Sequence, residues 1–324
     1  MEKAMKVTMY GTRGSTPICR RDSMTYGGNT TCLQIESECL PSGWAFAVDT
    51  GTGFFQLSQQ LLKEGVMKIG VIFTHWHHDH TQGLLLAPHT FIPQASMTVW
   101  GPKEHGIGPA EVFGGIMKPP VFPVNYVKVC HRIKTVPLCE VGTQVMVVHP
   151  KAGFHLLDIH RYRQRVAEGK QLNLGGSHHP VEECLVVLML KTEHPEYTVS
   201  YRFEEKPTGR TFVFLTDHEN TAGLPKDLLD HVRGAHLLVQ DGQYSAEVYK
   251  ARTAGFGHGT PQYCAEVMNA AGAERLGITH HDPMASDTDV GKRVEEARNY
   301  ARELGVADPE TRIFGCADYL SIEV

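Results

Sequence analysis

The segment Thr74-His75-Trp76-His77-His78-Asp79-His80 constrains this chain more than any other, because it follows directly on the apolar run 70–73. That run reads as the end of a buried strand over 68–73. A strand that stops in a polar loop delivers its last residues to one edge of a sheet, where the sites of α/β proteins gather. His75 and His77, two apart in extended chain, project to the same side. Asp79 and His80 reach a second point as the chain turns into a helix expected to start over 84–90. Three imidazoles and a carboxylate within six residues suit borderline cations such as Zn²⁺, Mn²⁺ or Fe. A polar surface loop is the alternative, and it would have to carry four ligand-type side chains at this spacing by chance.

The rest of the chain alternates between the two periods. Strands are predicted over 6–10, 31–36, 44–48, 97–101, 185–190, 198–203, 211–215, 235–240 and 275–279, with helices over 54–64, 262–271 and 290–304. Clusters of strands with helices between them predict an α/β sandwich. The stretch 102–180 fits less well. It includes a Pro/Gly-rich portion at 114–123 and a helix-compatible basic portion at 155–170 carrying Arg161, Arg163, Arg165 and Lys170. The reading is one domain over 1–324 with an insertion or lid at about 150–182. Arg161, Arg163 and Arg165 are most simply a solvated face, with phosphate or polynucleotide contact the sharper alternative.

With 41% hydrophobic and 21% charged residues the chain has the mass for a core, which excludes a disordered or fibrous protein. A net charge of −5 leaves no global basic field to recruit nucleic acid or membrane. No apolar run approaches the ~20 residues of a membrane span. The charged opening has no signal-peptide pattern, so a cytoplasmic protein is expected. None of the 8 cysteines form CxxC pairs, so they are read as reduced thiols and not as metal ligands.

One cluster cannot complete two metal shells, and candidates for the remainder recur where strands end. Asp49 follows the strand over 44–48, Asp217 follows 211–215, and His280 follows 275–279. His194 precedes Pro195 ahead of Tyr201-Arg202-Phe203, and His258 sits in Gly257-His258-Gly259-Thr260.

Together, HxHxDH with Gly83 behind it, AVDTGTG upstream, LTDHE and THHDP resemble the metallo-β-lactamase superfamily. The opening GTRGSTP, YGGNTTC at 26–32 and the HPxxxxSYRF-like stretch 194–203 are similar to its branch of ribonuclease Z and bacterial phosphodiesterases. The resemblance spans residues 11–289 and implies a four-layer αββα sandwich with two divalent cations (Zn, Mn or Fe) at one edge. It assigns His75, His77 and His194 to the first cation, Asp79, His80 and His280 to the second, and Asp217 to a bridge. Asp49 stands behind the ligands. His178 and His179, which also precede a Pro and a strand, rival His194 and are otherwise candidates to touch substrate. His281 rivals His280 and is otherwise grouped with Asp49.

Two cations about 3.5–4 Å apart would activate a bridging water to hydroxide and clamp the oxygens of an in-line displacement, which suits a phosphodiester. Asp79, His258 and Glu219 are the expected catalytic residues, His258 as general acid oriented by Glu219. Arg13, in the Gly-rich turn, is a candidate to hold a phosphate oxygen. The expected activity is hydrolysis of a small or cyclic nucleotide, a small-molecule phosphodiester, with no membrane partner and a possible homodimer. The alternatives are a tRNA 3′-end endonuclease, a lactone or thioester hydrolase of the same fold, and a non-catalytic metal-bound module.

Overall fold

Alternation along the strands divides the apolar residues between two faces, and that division builds the layers. In the computed structural model, which describes residues 4–324, the first half of the chain supplies β1 (Lys6–Gly11), β2 (Cys32–Glu36), β3 (Trp44–Val48), β4 (Lys68–Ile72), β5 (Ser96–Pro102) and β6 (Ile133–Leu138). The second half supplies β7 (Gln144–His149), β8 (Gly153–Asp158), β9 (Leu172–Leu174), β10 (Ser177–His179), β11 (Leu185–Lys191), β12 (Val199–Glu205) and β13 (Arg210–Leu215). It ends with β14 (Leu237–Asp241), β15 (Leu276–Thr279), β16 (Ile313–Gly315) and β17 (Ser321–Glu323). The first three residues of the predicted 1–324 domain lie outside the described residues.

The strands form a 7-stranded sheet, β17-β1-β2-β3-β4-β5-β6, and an 8-stranded sheet, β16-β15-β14-β13-β12-β11-β7-β8. On β3, Phe46 and Val48 point between the sheets while Ala45 and Ala47 face outward to helices. On β13, Phe212 and Phe214 point between the sheets while Val213 and Leu215 face outward. The period of two thus feeds both the central core and an outer one from each strand. Helices Gly53–Lys63 and His78–Leu86 lie on the first sheet through Phe54, Leu57, Leu61 and Leu84. Helices Pro261–Ala271 and Asp287–Glu303 lie on the second through Val267, Ala297 and their neighbours. The result is the four-layer αββα sandwich. Each of these fully buried apolar side chains contributes roughly 1.5–3 kcal/mol, so the paired cores supply most of the driving force.

Two segments differ from the sequence reading. The helix expected to start over 84–90 begins at His78, so Asp79 and His80 belong to its first turn. The segment expected as an insertion or lid extends the second sheet at its edge. β7 pairs with β11, and β8 closes the hairpin. Of the helix-compatible portion 155–170, residues 155–158 belong to strand β8. The helix Ile159–Ala167 starts only after Asp158, whose carboxylate accepts from the Arg161 N–H at 2.8 Å. Ile159 and Tyr162 of that helix bury against Val145, Val147, Leu172 and Val186, leaving Arg161 and Arg163 in solvent. Among the described residues, no helix is long and apolar enough to cross a membrane.

Candidate metal centre

β3, β4 and β5 run parallel, as do β13, β14 and β15, so within each sheet their carboxyl ends share one edge. The two edges meet. Asp49 follows β3, His75 follows β4, Asp217 follows β13, Asp241 ends β14 and His280 follows β15. Asp49, Asp217 and His280 turn off their strands in the left-handed region, with φ of 57°, 52° and 59°. A non-glycine residue held there costs about 1–3 kcal/mol, and such strain concentrates where side-chain placement matters more than stability. The approach is tight at the backbone too. A Cβ on Gly83 would stand 2.0 Å from the Gly51 carbonyl oxygen, and one on Gly51 2.3 Å from the Asp79 carbonyl oxygen, which accounts for both glycines flanking the site.

The side chains gather into two sets. The ligand atoms of His75, His77, His194 and Asp217 all lie within 4.8 Å of one another, and so do those of Asp79, His80 and His280. Asp217 stands between them: Oδ2 is 3.5 Å from His75 Nε2 and 4.0 Å from His194 Nε2. Its Oδ1 is 3.4 Å from both His80 Nε2 and His280 Nε2. Asp79 Oδ2 is 3.3 Å from His280 Nε2 and 3.4 Å from His80 Nε2. On the first set, His75 Nε2, His194 Nε2 and Asp217 Oδ2 are buried with no hydrogen-bond partner. Three orphaned acceptors aimed at one point are costly unless a cation joins them. The donor set, imidazole nitrogen with carboxylate oxygen, fits a divalent metal of the Zn, Mn or Fe kind.

Behind the ligands, hydrogen bonds decide which nitrogen faces the centre. The Thr74 N–H and hydroxyl donate to Asp49 Oδ1 and Oδ2 at 2.8 and 2.7 Å, and the hydroxyl oxygen lies 3.1 Å from His75 Nδ1. His80 Nδ1 donates to Asp49 Oδ2 at 2.8 Å, His194 Nδ1 to the Gly257 carbonyl at 2.9 Å, and His280 Nδ1 to Gln243 Oε1 at 2.9 Å. With the proton held on Nδ1, Nε2 presents a lone pair.

Burial holds the His75 imidazole well below its ordinary pKa, reinforced by His80. Burial also opposes charge on His80 and His280, yet carboxylates prevail. Asp79, Asp217 and Asp49 push His80 well up, and Asp217 and Asp79 push His280 up to about 9. Asp217, although fully buried, is held well below the usual carboxylate range by His280, His80 and His75. All these shifts have one cause, carboxylates and imidazoles gathered out of water, the surroundings a divalent cation would complete.

His258 lies beside both sets. Its ring stacks on His280 at 4.9 Å, and Nδ1 donates to Asp241 Oδ2 at 2.8 Å. Asp241, not Glu219, therefore orients His258. Glu219 accepts from the Tyr249 hydroxyl and from the N–H groups of Gly255 and Gly257, so it shapes the turn that carries His258.

Other expectations need correction. Arg13 is fully buried, its guanidinium donating to the carbonyls of Gly27, Asp282 and Ala285, and it has no face toward substrate. His281 donates through Nε2 to the Cys316 carbonyl at 2.8 Å and touches no ligand of the centre. His178 and His179 lie on the β9–β10 hairpin, where His179 packs on His149 at 3.9 Å, so His194 joins the first set and they do not. Trp76 packs on Phe73 and donates to the Pro102 carbonyl, which makes it wall.

Three residues escaped the sequence reading: Asp241, Gln243 and Glu196, whose Oε2 is 2.9 Å from His77 Nε2. Asp241 alone carried a usable signal, since it follows the strand predicted over 235–240 as Asp49 follows its own.

A family profile described as Beta-lactamase superfamily domain matches residues 45–281. No curated protein sequence matches significantly. Among solved structures, unliganded yeast PDE1 superposes with a TM-score of 0.64 at 14% identity, over 99% of this chain and 100% of that one. A diphosphatase from the PhnP family gives 0.58 at 16%, over 99% and 98%. The short form of human tRNase Z gives 0.55 at 18%, over 98% of each chain. At these identities the likeness speaks for the fold alone.

Proposed function

The chain belongs to the β-lactamase superfamily, whose members are mostly metal-dependent hydrolases, and from that premise we propose that it is a dinuclear metal-dependent phosphodiesterase of a small or cyclic nucleotide. The observation that carries the reading is Asp217, which turns one oxygen to each of two imidazole-rich sets, with three orphaned acceptors on one of them. When bound, two divalent cations supply an activated water and neutralise the anionic diester.

His75, His77 and His194 would hold one cation, Asp79, His80 and His280 the other, and Asp217 both. Asp79 is fixed from the open side by the Ser15 N–H, which donates to its Oδ2 at 2.7 Å, so its carboxylate keeps its aim at the reacting centre. His258 is the general acid. With Nδ1–H committed to Asp241, Nε2 is the atom that gives a proton to the departing alkoxide. Asp241 holds the ring and stabilises the imidazolium before transfer, as a buried carboxylate behind a catalytic His does.

A tRNA 3′-end endonuclease is the second reading, kept by the likeness to human tRNase Z. A net charge of −5 weighs against it, because polynucleotide affinity is dominated by phosphate contacts to basic side chains.

Hydrolysis of bis(p-nitrophenyl) phosphate and of a panel of cyclic mono- and dinucleotides, with Mn²⁺ or Zn²⁺, tests the proposal. The expected result is metal-dependent turnover that vanishes in Asp79→Ala. Pre-tRNA cleaved as fast as the small diesters would favour the nuclease. A protein that takes up no cation would end both readings.

A further inference from the structure

We propose that Glu196 is an additional carboxylate ligand of the first cation, the one assigned above to His75, His77 and His194; the inference rests on that dinuclear reading. Glu196 Oε2 lies 2.9 Å from His77 Nε2 and 3.7 Å from His194 Nε2. It therefore stands at the rim of the first set, against His77 and beside the orphaned nitrogen of His194.

The loop that carries Glu196 is held in place. Thr192 N–H donates to the Thr198 carbonyl across its base, and Tyr197 N–H donates to Glu104 Oε2 at 3.1 Å. On its inner side the loop rests on Gly257, where a Cβ would stand 2.0 Å from His194 Nδ1 and 2.5 Å from Pro195 Cδ. With His194 and Tyr197 both tied, the two residues between them, Pro195 and Glu196, have little freedom to leave the site.

Charge supplies the second argument. Without Glu196 the first cation has three neutral imidazoles and a share of Asp217, whereas the second has Asp79 to itself besides its share. Glu196 gives each cation one carboxylate of its own. An added oxygen donor also biases the first position toward Mn²⁺ relative to a purely imidazole-rich set.

Glu196 shares its exposure with His77 and not with the deeper ligands: the two side chains are 54% and 41% exposed, against 1% for His194 and Asp217. With His77 it forms the solvent side of the first position.

Calorimetric titration of the metal-free full-length protein with Mn²⁺ and with Zn²⁺ tests this. Wild type should show two binding events. Glu196→Gln should weaken one event by about tenfold or more and leave the other intact, with the larger loss for Mn²⁺. Glu196→Asp should fall between. The electron paramagnetic spectrum of bound Mn²⁺ should change in Glu196→Gln. Two unaltered events and an unaltered spectrum in that variant would overturn the proposal and make Glu196–His77 an ordinary surface pair. No uptake by wild type would instead overturn the dinuclear reading beneath it.

Discussion

The fold holds two histidine–carboxylate clusters, and they differ in where their protons sit. At the Asp217 centre, His80, His194 and His280 each donate Nδ1–H to an oxygen, so Nε2 is free to bind a cation. At the other cluster, His149, His179 and Glu183 bring ligand atoms equally close together. There His149 Nδ1 accepts from the N–H groups of Lys151 and Ala152 at 3.2 Å each, so the proton belongs on Nε2, which donates to Glu183 at 3.0 Å. The same side chains at the same spacing are thus wired in opposite senses. Proximity of ligand-type residues does not make a metal site; the partner of the far nitrogen decides.

The largest effect that could break this contrast is at Asp217. Asp217→Ala should abolish cation binding and diester hydrolysis together, whereas His149→Phe should leave both within about twofold of wild type, since His149, though buried, bonds Glu183 and the N–H groups of Lys151 and Ala152 and none of the Asp217 set. Loss of metal uptake in His149→Phe would erase the distinction.

His258→Ala should lower turnover of diesters with poor leaving groups by about 10²–10⁴-fold, and much less for p-nitrophenolate, which needs no proton. Equal losses on both substrates would deny it the role of acid.

Asp49→Asn disturbs the wiring behind His80 and, through Thr74, His75, and Gln243→Leu that behind His280. Each should weaken cation binding by about 10–100-fold in a calorimetric titration, with the fold retained by circular dichroism.

The smallest effect sharpens the contrast from outside both clusters. Burial, reinforced by Arg202, pushes His231 down to about 3, and its Nε2 meets the Ser200 hydroxyl at 3.0 Å. The unfolded chain takes up a proton there below about pH 6.5 and the native protein does not. Its contribution to stability is therefore complete above that pH. It declines by about 1.4 kcal/mol per pH unit as pH falls toward 3. His231→Gln should flatten the acid limb of a urea-unfolding series; an unchanged slope would show that the native state accommodates the charge.

Much of the centre was legible because a strand that ends in Asp or His leaves a mark in sequence. Asp49, His75, Asp217 and His280 all carry it. Asp241 does too, yet strand boundaries are read only to within a residue or two, and Asp241 is itself the last residue of β14. Glu196 and Gln243 were hidden because their importance lies in what they touch, His77 and His280, across long stretches of chain. His194 was preferred to His178 or His179, although all three precede a strand, through the Tyr201-Arg202 behind it and its distance from Asp217; the β11–β12 connection is what brings it to the first set. Arg13 misled because a Gly-rich turn resembles an anion cradle, while here the turn exists to let a guanidinium reach three carbonyls. The helix start was placed late because His78, Asp79 and His80 are indifferent helix formers, though an acidic residue in a first turn is favourable. β8 was missed because its burial is intermediate along nearly its whole length, without clean alternation.

The ligands of the centre come from both halves of the chain: His75 to His80 from the first sheet, His194, Asp217 and His280 from the second. A cation pair there would act as a rivet between two layers otherwise joined by their apolar core and a few hydrogen bonds, such as those from Tyr201 to Phe73 and from Val199 to Thr74. Chelation should loosen that rim before any strand melts, with amide exchange quickening at 74–80 and 216–219 while the interior stays protected. The catalyst and the clasp would then be one object, and a cell poor in metal would hold a protein both idle and half unbuttoned.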